Sequence, residues 1–254
     1  NHPVLMRVTQ AVVDAPVVHT FVVGEASADA ERVAARVLGA DDDFSPFYTV
    51  ARADDRLWSV VEPLYGLHHF GAETVFEALS QVIIEQQISL AAALKAQRAL
   101  AEWGGGRVEY DGHTHYTFPH PERIAEADPM VLHSILKITH RRVETMQRVA
   151  RDVVCGALDL EALREVDAPT AYKALMAIKG VGHWTAAWTL IRGLGRYDYA
   201  AHNDVALRDA VAHYFYDTDE RVSADTVAQL FAGYAPYSGL AAFYTLMAWA
   251  VARY

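Results

Sequence analysis

The chain opens with short β-branched, partly alternating runs, "VLMRVTQAVV" and "PVVHTFVVGE", whose period suits strands. "SADAERVAARVLGA" turns to helical spacing, with Ser27 as its cap and Gly39 as its stop. "ADDDFSPFY" reads as a loop and "VARADDRLWSVVEPLYGL" as a further helix. From Thr74 onward strand signals nearly vanish. Thr74-x-x-Glu77 has the form of a capping box ahead of "VFEALSQVII". A polar break at Glu85-Gln86-Gln87-Ile88-Ser89 follows. "LAAALKAQRALAEW" then resumes the helical period, with Ser89 placed to cap it, as far as the glycines at 104–106. "DGHTHYTFPHPERI" reads as a loop, and helices are expected around 128–136, 140–155, 159–165, 169–178, 183–194, 204–216, 223–233 and 238–252. The pattern predicts a mainly α protein with a small N-terminal α+β domain over 1–73, its acids outside, and a helical region over 74–254.

One interruption stands out. In "LMAIKGVGHWTAAWTLIRGLG" (175–195) an apolar helix stops at Gly180-Val181-Gly182 and restarts at once. Each glycine costs a helix about 1 kcal/mol relative to alanine. A helix–turn–helix of this kind lets a second backbone come close, and the amides that open the second helix form a site for phosphate. Taken alone, the glycines fit equally a tight αα-corner that only packs closely.

Composition narrows the class. With 254 residues and 52% hydrophobic content the chain can bury a sizeable core, and no apolar run approaches the ~20 residues of a membrane span. Neither a signal peptide nor a membrane partner is expected. The single cysteine, Cys155, excludes a disulfide within the chain and a cysteine-held zinc site or iron–sulfur cluster; at the end of "RDVVCGAL" it reads as a buried packing residue. Net charge is −10, which argues against non-specific binding of nucleic acid, but residues 1–80 hold most of the excess, with twelve acids against five bases. In 137–151, "KITHRRVETMQRVAR", Lys137, Arg141, Arg142, Arg148 and Arg151 face one acid, Glu144; that run reads as a solvated helix face. His113, His115 and His120 form an H-x-H pattern in the Pro-rich loop, with no acid or cysteine cluster to complete a catalytic metal site.

With these signals in order, "LMAIKGVGHWTAAWTLIRGLGRYDYAAHNDVALRDAV" resembles the helix–hairpin–helix DNA glycosylases, in particular the alkylated-base (3-methyladenine DNA glycosylase II-like) branch. "EALSQVIIEQQIS" precedes it, "YTFPHPERIAEAD" matches the loop between, and "YAPYSGLAAFY" matches the closing segment. The likeness covers about residues 74–254 and extends loosely over 38–67. It implies a helix–hairpin–helix helical core with the lesion cleft between helical domains. It also implies a monofunctional enzyme that flips alkylated purines (3-methyladenine or 7-methylguanine type) out of damaged double-stranded DNA and hydrolyses the N-glycosidic bond in base excision repair. The alternatives are a glycosylase for deaminated or oxidised bases, or a helix–hairpin–helix DNA-binding module without catalysis. A monomer is expected, nucleoid-associated in the cytoplasm of a prokaryote or nuclear in a eukaryote.

Site residues carry over position by position. Asp204 falls where the family has its catalytic carboxylate, suited to stabilising positive charge on the sugar and to orienting water. On its own residues it reads equally as the cap of the helix "DVALRDAV", a role open also to Asn203. The lyase branches carry a lysine where Trp184 stands, and Lys179 is misplaced, so no lyase activity is implied. Trp184, Trp188 and Tyr234 would stack the cationic base, although tryptophans at i, i+4 fit a core equally. Tyr234 replaces the family's tryptophan, "PYSG" lacks its arginine after Pro236, and His202 in "AAHND" replaces its proline. Gln86 and Gln87 would approach the gap left by the flipped nucleotide and its opposite base, or sit in an exposed turn. Gly180, Gly182, His183 and Thr185 would meet the DNA backbone. No cofactor is required, but the resemblance places a structural Na+ or K+ on the carbonyls of Met176, Ile178 and Val181. A clamp of main-chain groups predicts a shallow salt dependence.

Overall fold

The computed structural model describes residues 5–9, 19–23 and 30–253. Two strands, β1 (Leu5–Thr9) and β2 (His19–Val23), lead to α1 (Ala30–Leu38), α2 (Ser45–Ala51), α3 (Asp55–Val61), α4 (Val75–Glu85) and α5 (Leu90–Gly104). A second pair, β3 (Arg107–Tyr110) and β4 (His113–Tyr116), precedes α6 (Pro121–Ala125), α7 (Pro129–Leu136) and α8 (His140–Val154). The chain closes with α9 (Ala168–Ala177), α10 (His183–Leu194), α11 (Val205–Tyr216), α12 (Ala224–Ala232) and α13 (Ser238–Val251). No helix among the described residues is long and apolar enough to cross a membrane. The structure is mainly α, as the hydrophobic period implies. It forms two compact units, one from 1–40 and 72–161, the other from 41–71 and 162–254. A single boundary at 73/74 is not how the chain divides.

In the first unit α4 is buried nearly all round, with Val75, Phe76, Ala78, Leu79, Val82, Ile83 and Ile84 in the core. Its start is capped as expected, Thr74 Oγ1 accepting the Glu77 N–H at 3.0 Å. The returning bond is displaced by one residue: the Glu73 N–H donates to Glu77 Oε2 at 3.2 Å. Burial pushes the Glu77 carboxyl up to about 7. α8 turns Val143, Met146, Val149 and Ala150 inward. Its buried Gln147 amide donates to the carbonyls of Ile124 and Ala127, tying α8 to the end of α6.

Several local expectations are corrected. The stretch around Asp111-Gly112 is an antiparallel hairpin, Val108 facing His115 and Tyr110 facing His113. Asp111 and Gly112 both take positive φ, 51° and 75°, as a two-residue hairpin loop of the primed kind requires. Thr117 N–H then donates to the Gly106 carbonyl, and a Cβ on Gly105 would fall 1.9 Å from the Thr117 oxygen, so the glycine run admits the returning strand. α2 occupies part of the expected loop "ADDDFSPFY", started by Pro46 in its first turn, and Pro121 likewise starts α6. The helix at 159–165 is a 3₁₀ segment, Glu161–Glu165. Cys155 is exposed: α8 ends at Val154, so the cysteine falls in the cap and not on the buried face. Gly39 stops α1 with φ 61°, whereas Ser27 lies outside the described residues.

In the second unit α13 is buried on all sides over Ser238–Thr245. Gly239 permits this: a Cβ there would meet the carbonyls of Tyr197 and Tyr199 at 2.7 Å, and its N–H donates to the Tyr197 carbonyl. A hydrogen-bond relay stitches 41–71 to α13. The Gly66 N–H donates to Tyr48 Oη at 3.0 Å, Tyr48 and Tyr244 share a bond of 2.7 Å, and the Tyr244 hydroxyl donates to the Leu67 carbonyl at 2.9 Å.

Candidate active site

The interruption at 178–182 is a tight hairpin between α9 and α10. Ile178 leaves the helix in extended conformation, the Val181 N–H returns to the Ile178 carbonyl at 3.0 Å, and Gly180 takes φ 91°. Only glycine adopts that angle without strain. Val181 is buried beneath the turn. Gly182 differs from Gly180: its φ of −106° is open to any residue, and a Cβ there would meet no protein atom within 4 Å. Nothing inside the protein requires glycine at 182. The position is a bare, exposed surface at the N-cap of α10, where no side chain caps the helix.

Asp204 is the N-cap of α11, its Oδ1 accepting the Leu207 N–H at 3.1 Å. Its Oδ2 accepts the indole N–H of Trp184 at 2.7 Å, from the first turn of α10. The two readings of Asp204 are therefore one geometry. The cap bond fixes one carboxylate oxygen, the indole fixes the other, and the half-buried group retains acceptor sites for water. Asn203, exposed, does not cap.

The segment before Asp204 is pinned to the hairpin. His183 Nε2 lies 2.7 Å from the Ala200 carbonyl and Nδ1 lies 2.8 Å from the Tyr172 hydroxyl. A carbonyl only accepts, so Nε2 carries the proton and Nδ1 receives the Tyr172 hydroxyl. The His202 ring stacks on His183 at 3.9 Å. Burial lowers the His183 pKa and keeps the imidazole neutral. The His183 side chain thus serves as a staple within the protein, and at the first residue of α10 only its main chain is left for the DNA backbone contact that the resemblance implies. Thr185, assigned the same contact, is 2% exposed and its side chain lies in the core.

The aromatic trio separates. Trp184 is half-buried beside Asp204. Trp188 is 5% exposed, with the Arg192 guanidinium 5.0 Å from its ring centroid and His69 and Phe243 nearby; it lines a small apolar cavity with Ile191, Leu207, Phe243 and Leu246. Burial and the Arg192 charge hold His69 down to about 4, so it packs as neutral imidazole. Tyr234 is 8% exposed and donates its hydroxyl to Asp54 at 2.7 Å. Burial pushes the carboxyl of Asp54, the N-cap of α3, upward, but the Tyr234 bond, the Leu57 and Arg56 N–H groups and the Arg56 charge together hold it below the usual carboxylate range. In the first unit Gln86 caps α4 and Gln87, exposed, takes φ 56° at the tip of the α4–α5 turn.

Sequence reasoning missed His69, Tyr172 and Asp54. For His69 and Asp54 no spacing rule helps, because their partners lie far along the chain, Asp54 and Tyr234 being 180 residues apart; Tyr172 meets His183 only 11 residues on, but across the hairpin. For a cation, the hairpin offers main-chain oxygens. The Ile178 carbonyl accepts one hydrogen bond and retains a second lone pair, which suits a hard monovalent ion. Among the described residues no group of three His, Cys, Asp or Glu could hold a metal, and His113 and His115 lie exposed on β4.

Residues 80–235 match the family model described as HhH-GPD superfamily base excision DNA repair protein. The chain is 37% identical over 154 residues to a DNA-3-methyladenine glycosylase of Bacillus subtilis, covering 61% of this chain and 50% of that one. It is 30% identical over 143 residues to DNA-3-methyladenine glycosylase 2 of Escherichia coli, covering 56% and 49%. The chain spans about half the length of these curated relatives. In fold it is similar to a 3-methyladenine DNA glycosylase from Archaeoglobus fulgidus, with a TM-score of 0.80 at 24% identity over 96% of this chain and 82% of that one.

Proposed function

The chain belongs to the HhH-GPD superfamily of base excision DNA repair proteins, and from that premise we propose that it is a monofunctional DNA glycosylase for alkylated purines of the 3-methyladenine and 7-methylguanine type. The observation that carries the reading is the 2.7 Å bond between Trp184 and Asp204, which joins the hairpin's second helix to the one carboxylate placed for the chemistry. The relatives named as 3-methyladenine glycosylases support the substrate class.

Breaking the glycosidic bond leaves positive charge on the sugar. The ionised Asp204 opposes that charge and orients water toward the anomeric carbon. Two N–H donors hold the carboxylate in one rotamer, so little reorganisation is needed as charge develops. The half-buried indole of Trp184 offers an electron-rich face to a cationic base. Gly182 leaves room for a sugar–phosphate backbone to reach the start of α10. A Na+ or K+ held by the carbonyls of Met176, Ile178 and Val181 would neutralise phosphate charge there. Gln87 projects at a turn where an extruded nucleotide's partner can be contacted. No lysine occupies the position of Trp184, and Lys179 lies in the hairpin, so the product is an abasic site with the strand uncut. The protein acts as a monomer on chromosomal DNA, in a bacterial nucleoid or a nucleus.

The test is a panel of duplexes, each with one defined lesion, scored by alkaline cleavage for the native protein and Asp204→Asn. Native protein should release 3-methyladenine or 7-methylguanine, and the variant should bind damaged duplex yet excise at least a hundredfold more slowly. Excision at the native rate by the variant refutes the assignment of Asp204.

A further inference from the structure

The segment 197–204 carries Asp204 to the head of α11 without a proline, so nothing in its covalent structure fixes φ along it. Its order comes from hydrogen bonds and ring contacts. The Ala200 carbonyl accepts two hydrogen bonds, from His183 Nε2–H at 2.7 Å and from the His202 N–H at 2.8 Å. One residue on, the Ala201 carbonyl accepts the Asp204 N–H at 2.8 Å, and both alanines are buried. The His202 ring folds back onto the His183 ring, centroids 3.9 Å apart and planes 27° from parallel. His183 therefore grips the chain at residue 200 by a hydrogen bond and at residue 202 by a ring face, immediately ahead of Asp204.

The grip has a third member on α9. The Tyr172 hydroxyl lies 2.8 Å from His183 Nδ1, and the Tyr172 ring stacks on Tyr199 at 4.1 Å with planes only 11° apart. Burial and the neighbouring Tyr199 push Tyr172 above the ordinary phenol value, so it stays a donor. A donor at Nδ1 leaves the imidazole proton on Nε2; the other tautomer would aim a lone pair at the Ala200 oxygen. Consecutive residues of α10 thus hold Asp204 at two places. His183 fixes the main chain before it, and Trp184 fixes its carboxylate. All of these residues belong to one compact unit.

We propose that the His183 imidazole is a positioning residue for Asp204, set in its tautomer by Tyr172 and braced by the His202 ring. The inference rests on the proposed reaction and deepens it, because the imidazole acts on the rate through Asp204 and touches no reacting atom. Without the Nε2–H bond the Ala200 carbonyl keeps only its local bond to the His202 N–H, and the turn that delivers Asp204 loses its anchor to the hairpin. A displacement of about 1 Å at a catalytic group can cost about a hundredfold in rate. Binding is spared, since the imidazole faces Tyr172, Ala200 and His202 and leaves the exposed Gly182 surface unchanged.

The experiment measures single-turnover release of a 7-methylated purine at saturating protein, beside binding of an abasic-analogue duplex, for the full chain and three variants. His183→Phe keeps a ring against His202 but removes both hydrogen bonds, so excision should fall at least about tenfold while binding stays within about threefold of native. His183→Gln places an amide N–H where Nε2 stood and should recover excision to within about threefold of native. Tyr172→Phe frees the tautomer and should cost about threefold or more. A phenylalanine variant at the native rate, or a glutamine variant as slow as it, overturns the proposal. Equal losses of rate and binding overturn it too, since they mark general structural damage. Should a thermal melt show His183→Phe unfolded, Tyr172→Phe decides: excision at the native rate sinks the idea. Nitrogen NMR of isotope-labelled imidazoles reads the staple without substrate, and a proton on His183 Nδ1 in native protein overturns it. If the proton sits on Nε2 yet native protein excises from no lesion duplex, the failure lies in the proposed function itself.

Discussion

Replacing Trp184 by phenylalanine tests the central geometry most directly. Phenylalanine keeps an aromatic face but removes the single N–H that holds Asp204 Oδ2 at 2.7 Å. Hydrogen bonds to charged groups contribute about 1.5–3 kcal/mol, and the half-buried setting of Trp184 favours the lower part of that range. The cap bond from the Leu207 N–H remains, so Asp204 stays at the head of α11 but can rotate about its free oxygen. If the indole bond fixes the productive rotamer, about 1.4–2 kcal/mol of transition-state stabilisation is lost, a fall in excision rate of about tenfold to thirtyfold. The assay is single-turnover release of a 7-methylated purine at saturating protein, beside binding of abasic-analogue duplex. Binding should change less than threefold, because the N–H touches the carboxylate and not the DNA. A variant that excises within twofold of native would refute orientation by Trp184. A variant that loses binding and rate in the same proportion would show stacking, not orientation, to be its role.

Two further outcomes follow from the same structure. Burial raises the Glu77 carboxyl from the ordinary value to about 7, so its protonated form suits the fold: stability is fullest below the free-carboxyl range near 4.5 and is lost as pH rises to about 7. The loss amounts to at most about 3 kcal/mol. Glu77→Gln should remove most of it, and urea midpoints at pH 5 and pH 8 that differ as much in the variant as in the native protein would contradict this. At the hairpin, Gly182→Ala should leave the melting temperature nearly unchanged, because its Cβ meets nothing within 4 Å, yet weaken DNA binding tenfold or more. Gly180→Ala, at φ 91°, should instead destabilise the fold by more than about 1 kcal/mol. The reasoning fails if Gly182→Ala binds DNA normally, or if Gly180→Ala melts as native.

Much of the candidate site was legible because its signals are local. Glycines one residue apart between two apolar helices can only mark a break, and Gly180 does take the backbone angle that glycine alone tolerates. Asp204 at the head of a helical period announced a cap, and it caps. The β3–β4 hairpin was legible too and went unread: Asp111-Gly112 between alternating residues is a hairpin turn by its own chemistry. Cys155 shows the converse, since one residue at a helix end decides between burial and exposure, and end positions shift by that much.

By itself the sequence determined the helical periods, the caps at Thr74, Ser89 and Asp204, and the hairpin at Gly180–Gly182, because each follows from backbone geometry and hydrogen bonds within a few residues. Only the tertiary structure decided that Trp184 holds Asp204, that Trp188 and Tyr234 are buried, and that residues 41–71 join the closing helices. Those outcomes depend on contacts such as Tyr48 with Tyr244, 196 residues apart. The free energy of such pairs comes from desolvation and packing in the assembled core, and neighbouring residues along the chain carry no trace of it.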